Sequence, residues 1–206
     1  MTITRIVLLA QGAEAAVLGK ILREFNPLLR DITVIPDKAA LAALRHDDFA
    51  NARLIAFCSP VIVPADFLRA FPGPSYNFHP GPPDRPGRFP SVFAIYEKAE
   101  RFGVTVHEMA EQVDAGAIVA AEWFPIAPDI DLVGLEKLAL GCLVVVFRRL
   151  APFLAMNPRP LPRIYIPWSG TRRTKAECDA ICRLSPEISG AEAALRERAC
   201  GSLLKL

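Results

Sequence analysis

The 206-residue chain reads as an α/β protein on a doubly wound, mostly parallel sheet of Rossmann-like type, with a short helical C-terminal extension. Three observations carry that reading. Short β-rich apolar runs alternate with helical segments through the first half, the pattern of βαβ units. The first run, Ile3 to Ala10, is apolar on both faces, as in a strand covered by helices on each side. Hydrophobic residues make up 52% and charged residues 22%, enough apolar material for the core of one domain, or one domain with an appendage.

The elements follow in order. The first strand turns at Gln11-Gly12, and Ala13 to Phe25 has helical spacing that stops at Asn26-Pro27. Asp31 to Ile35 is the second strand, and Asp37 to Arg45 the helix after it. Arg53 to Cys58 forms a third strand, leading into an apolar loop from Ser59 to Pro64. A short helix, Pro64 to Phe71, is halted by Pro72-Gly73-Pro74, and Tyr76 to His79 is a fourth strand. Pro80 to Pro90 is so rich in Pro and Gly that neither helix nor sheet continues through it.

Beyond that loop, Ser91 to Arg101 reads as a helix and Gly103 to Met109 as an alternating strand. Val113 to Gly116 is a turn, and Ala117 to Ile126 another strand. Asp131 to Leu154 is a long helix, apolar almost all round and therefore expected to be buried. From Met156 the character changes: a proline-rich connection, an extended piece from Ile164 to Trp168, and amphipathic helices over Thr174–Leu184 and Gly190–Gly201. Tyr165 and Trp168 are expected to pack this tail onto the rest. The organisation expected is a main domain over 1–155 and an extension over 156–206.

A net charge of only +2 gives no nucleic-acid or membrane footprint. The longest apolar stretch, around Leu138 to Val146, is short for a bilayer span, and the first residues lack a signal-peptide pattern. Cys58, Cys142, Cys178, Cys182 and Cys200 form no C-x-x-C pair and no zinc spacing with His46, His79 or His107, so no metal is expected. Their odd number, with Cys58 and Cys142 inside apolar runs, reads as reduced thiols in a cytoplasmic protein.

The first strand-to-helix turn, Ala10-Gln11-Gly12-Ala13-Glu14, has one glycine and an acid where a dinucleotide fingerprint needs several glycines. There is no G-x-S-x-G, and Cys58, at the end of an apolar strand, reads as packing. The stronger constellation is Asn77, His79 and Asp114. Residues two apart on a strand share a face, so Asn77 and His79 present an amide and an imidazole together. Asp114 lies in a glycine turn after a strand, placed by this reading at the carboxyl edge where α/β sheets collect ligands. An imidazole held by a carboxylate serves as acid or base near neutral pH, and an amide NH₂ can hydrogen-bond an oxyanion. That combination suits acyl transfer to an amine; it also suits a merely structural role, in which Asn77 and His79 hold the loop and Asp114 caps a turn.

Asn77-Phe-His-Pro80, the Gly/Pro loop with Arg85-Pro-Gly87, then Gly103-Val-Thr-Val-His107 and Val113-Asp-Ala-Gly-Ala-Ile118 resemble the formyltransferases that use 10-formyltetrahydrofolate. The likeness covers residues 3–155. It implies that Asn77 orients the formyl group, His79 assists protonation of the intermediate, and Asp114 holds His79 and helps remove the amine proton. It implies that Ser59, Pro60, Val61, Ile62 and Val63 cradle the pterin ring, with Val113, Ala115 and Gly116 closing the other side of the pocket. Arg85, Arg88 and His107 are weaker substrate-binding candidates; His107 on its alternating strand reads as structural or as a pocket edge. The loop from Gly81 to Gly87 departs from the family pattern, which leaves the acceptor open.

The function expected is transfer of a formyl group to a primary amine of a small molecule, an amino sugar or an amino-acid-derived amine. The alternatives are a formyltetrahydrofolate hydrolase and a folate-binding protein without catalysis. The oligomeric state is open, a homodimer among the options.

Overall fold

A computed structural model describes residues 2–45 and 49–205; His46, one of the histidines weighed for zinc spacing, lies outside them. The strands are β1 (Arg5–Leu9), β2 (Asp31–Ile35), β3 (Ala52–Phe57), β4 (Tyr76–His79), β5 (Arg101–Glu108) and β6 (Ile118–Pro125). The helices are α1 (Gly12–Phe25), α2 (Lys38–Ala42), α3 (Ala65–Ala70), α4 (Pro90–Tyr96), α5 (Leu132–Met156), α6 (Lys175–Ile181) and α7 (Gly190–Cys200). The expected helix over Ser91–Arg101 ends early: Lys98 turns into the left-handed region at φ 55°, and Arg101 already opens β5.

One sheet has the order β2-β1-β3-β4-β5-β6. Its first four strands are parallel, with Leu9 beside Ile35 and Ala56, and Ala56 beside Asn77. The later strands reverse. Met109 N–H donates to the Ser75 carbonyl at 2.7 Å while His107 meets Asn77, so partner numbers fall as β5 proceeds, which is an antiparallel register. Glu108 N–H to Ala117 O at 2.8 Å begins the same relation between β5 and β6. The sheet is therefore mixed, although Asp114 still lies against His79, the last residue of β4. The end of β5 lies against the start of β4, and the chain must double back to bring Asp114 to His79.

The described residues form two compact units. The first takes the chain up to His79, with Val106–Ala120 and Leu143–Tyr165; the second takes Pro80–Thr105, Ala121–Cys142 and the chain from Ile166 on.

In the first unit, Phe78 packs its ring 5.7 Å from Phe57 and 5.1 Å from Phe147, behind the strands that carry the site. Arg53 is buried with its guanidinium donating to the carbonyls of Leu154 (3.0 Å), Phe153 (3.3 Å) and Arg159 (3.2 Å). These include orphan carbonyls of the last turn of α5, which a helix cannot satisfy by itself. Asn26 donates to Ala155 O at 2.7 Å and Ile3 O at 3.0 Å. Tyr165, expected to pack, is wholly exposed.

In the second unit the tail clamps the proline loop. Ser169 N–H donates to Pro83 O at 3.0 Å, Arg173 N–H to Pro86 O at 3.0 Å, and Arg88 N–H to Arg173 O at 2.9 Å. Gly87 has φ 97°, and a Cβ there would overlap the Arg173 backbone, so only glycine fits. The Arg173 side chain donates to Glu97 (2.7 Å) and Glu177 (3.2 Å), and lies 4.8 Å over the Phe93 ring.

Cys182 and Cys200 are joined by a disulfide, correcting the reading of all five cysteines as reduced thiols. No local spacing announces the pair. The ends of α6 and α7 bring their Cα atoms to 5.5 Å, within bridging reach. Cys178 remains a buried thiol, and Cys58 is exposed, with φ 49°, rather than packed.

The α5 helix is longer than the apolar stretch judged short for a span, and by length and composition it could cross a membrane. Leu135, Leu143, Phe147 and Leu154 on it are nevertheless fully buried in the fold, as in a core helix. Its other faces, with Val133, Leu138 and Val145, are exposed, so burial all round is not found.

Candidate active site

The first unit holds a small cavity of about 60 Å³. One wall follows β3, where Val61 N–H donates to Ser59 Oγ at 3.2 Å and folds the segment into a tight turn. Ser59, Val61, Ile62 and Val63 line the cavity from that side; Met109 and Val113 line it from the other. Ile62 and Val113, at 58% and 39% exposure, leave two apolar side chains at the mouth.

The floor is polar: Asn77, His107 and Asp114. Asn77 Nδ2 lies 3.1 Å from His107 Nε2. His107 Nδ1 is 2.8 Å from the Glu108 carbonyl, an acceptor only, so Nδ1 carries a hydrogen and donates it there. Nε2 is then the nitrogen that exchanges: bare, it accepts from the Asn77 amide; protonated, it faces Asp114 Oδ1 at 3.3 Å. The other carboxylate oxygen, Oδ2, lies 3.7 Å from His79 Nδ1, within ion-pair range but beyond a good hydrogen bond. One carboxylate thus stands between two imidazoles, and all three groups are buried.

Asp114 holds this position at φ 47°, a left-handed conformation that Asp tolerates better than most residues. Gly116 permits the return of the chain, since a Cβ there would overlap the Glu108 carbonyl.

Of the residues anticipated from sequence, Asn77 and Asp114 both line the cavity. His79 touches Asp114 from outside the lining. The nearer imidazole is His107, a structural or pocket-edge residue by sequence, at 3.3 Å from Asp114 against 3.7 Å for His79. The signal that would have found it is the antiparallel register of β5 on β4, which sets His107 beside Asn77. Val113 lines the cavity, while Pro60, Ala115 and Gly116 shape its turns without lining it. Arg85 and Arg88 belong to the second unit. There Arg85 pairs with Glu97 at 2.6 Å, and the Arg88 guanidinium lies 5.5 Å over the Phe89 ring.

A sugar N-formyltransferase from Shewanella sp FDAARGOS_354 superposes with a TM-score of 0.72 at 17% identity, over 96% of this chain and 88% of that one. An N-formyltransferase from Helicobacter canadensis, solved with folinic acid and dTDP-3-aminofucose, gives 0.69 at 17% identity, over 96% and 80%. By fold, then, the molecule is an α/β protein of the formyltransferase type. In sequence, the profile described as formyl transferase matches residues 37–139, half of the chain. A phosphoribosylglycinamide formyltransferase of Dictyostelium discoideum is 31% identical over 90 residues, spanning 37% of this chain and 42% of that protein. The chain belongs to the formyl transferase family.

Proposed function

We propose that the chain transfers a formyl group from 10-formyltetrahydrofolate to a primary amine on a small molecule, an amino sugar being the favoured acceptor. The observation that carries this reading is the Asp114 carboxylate between two imidazoles beside the Asn77 amide. The folate and aminosugar bound by the Helicobacter canadensis relative support the two substrate classes. A cavity of about 60 Å³ accommodates the reacting one-carbon group and the attacking nitrogen, not a whole folate. The pterin accordingly rests on the exposed apolar lip of Ile62 and Val113, between the 59–63 and 113–116 segments.

The amine nitrogen attacks the formyl carbon, forming a C–N bond and placing negative charge on the formyl oxygen. The Asn77 NH₂ hydrogen-bonds that oxyanion, a contact worth roughly 3 kcal/mol in comparable sites. The ammonium proton passes to Asp114. His107 Nε2 takes up or returns a proton beside it, and His79 steadies the carboxylate from behind. Collapse breaks the bond from the formyl carbon to folate N10, which leaves with a proton returned from this relay, giving tetrahydrofolate and the formamide.

The test is formyl transfer from 10-formyltetrahydrofolate to nucleotide-linked amino sugars. Asn77→Ala should lower kcat by about 10²–10³-fold without loss of thermal stability. Unchanged turnover would overturn the mechanism. Formate released at full rate with no amine present would instead identify a hydrolase.

A further inference from the structure

The second unit carries a cavity of its own, about 320 Å³, beside a wider hollow of about 550 Å³. Lys98 and Arg198 line both. Arg198, in the last turn of α7, donates through Nη1 to the Pro128 carbonyl at 2.8 Å, which fixes the plane of its guanidinium. Its Nε is buried and meets no acceptor. A buried donor left unmatched calls for an explanation, and a bound ion is one. The acids nearby do not supply the partner. Glu192 is held by Tyr96 Oη at 2.8 Å and Arg196 Nε at 2.6 Å. Glu100, the one acid on the smaller cavity, is exposed. The remaining wall is apolar, chiefly Ile95, Ile126 and Ile130.

We propose that this cavity binds a small aliphatic carboxylate. Two cations shared with the adjoining hollow and three isoleucines in the lining match a ligand with one charged head and an apolar body. A guanidinium held in a fixed plane favours the two coplanar oxygens of a carboxylate, which pair with it side by side. Lys98, exposed on the turn after α4, adds a second positive charge to the lining. The site owes nothing to the residues of the formyl-transfer proposal, and its occupancy is read without turnover.

The experiment is calorimetric titration of the full chain with hexanoate, hexyl phosphate and hexanol at one salt concentration. Hexanoate should bind saturably, and hexanol, with the same body and no charge, at least about tenfold more weakly. Arg198→Met and Lys98→Met should each weaken hexanoate by about tenfold or more; Lys98→Met changes an exposed side chain and leaves folding intact. Ile130→Trp should abolish binding by filling the space. Equal affinity for hexanoate and hexanol, or hexanoate binding unaltered in Lys98→Met and Arg198→Met, overturns the site. Tighter binding of hexyl phosphate than of hexanoate overturns the carboxylate assignment in favour of a phosphomonoester.

Discussion

Asp114 combines an unusual backbone conformation with a buried charge between two rings, and the two can be separated. Asn also tolerates the left-handed region, so Asp114→Asn keeps the turn while removing the carboxylate. Turnover should fall by about 10²-fold or more while the melting temperature stays near that of the parent, measured by formyl transfer and calorimetry on one preparation. His107→Gln should lower kcat more than His79→Gln, because only the first ring lines the cavity. Equal effects would return His107 to the structural role that its strand position suggests. Asn77 and His79 were legible in the sequence because a spacing of two on a strand is local information. Asp114 was legible only through its glycine turn and the family motif. His107 was not, since its place depends on a strand register set by residues about thirty positions away. Cys58 misled for the opposite reason: an apolar run predicts burial, but a left-handed residue at the strand end turns its side chain outward.

At the scale of elements, glycines and arginines anchor the loops. Gly116→Ala forces a methyl group against the Glu108 carbonyl and should destabilise the protein by about 2–4 kcal/mol, seen as a lowered urea midpoint. Gly87→Ala should loosen the proline loop, read as faster amide exchange at Arg88 and Arg173. The bridge between Cys182 and Cys200 closes a short loop, so reduction should cost about 3 kcal/mol in denaturant titrations with and without reductant. Most strands and helices were readable from apolar periodicity, which reports one face of one element at a time. The disulfide and the clamp between the tail and the proline loop were not readable. Both are contacts between segments distant in sequence, and no composition or spacing announces them.

At the scale of the whole molecule, the ion pairs of the tail set a sensitivity to acid. Hydrogen bonds from Lys175 and Lys205 hold the Asp179 carboxyl down at about 2, from an ordinary value of 3.8. Glu177 is lowered by its bonds with Thr174 and then Arg173, and Glu192 by Arg196 and then Tyr96. The folded chain therefore binds fewer protons than the unfolded one through this range. The stability Asp179 contributes is complete above 3.8 and is lost as pH falls toward 2, while that of Glu177 and Glu192 begins to fade once pH drops below 4.5. Far-UV circular dichroism with hydrogen exchange should show α6 and α7 yielding in that window, and added salt should shrink the effect. The order of the two units along the chain has a practical consequence. The backbone passes from one unit to the other five times, so neither is a continuous piece that a single cut could release. A polypeptide trimmed to the family match at 37–139 would lose β1, β2 and the tail that bonds to the proline loop, keeping fragments of both units and the whole of neither.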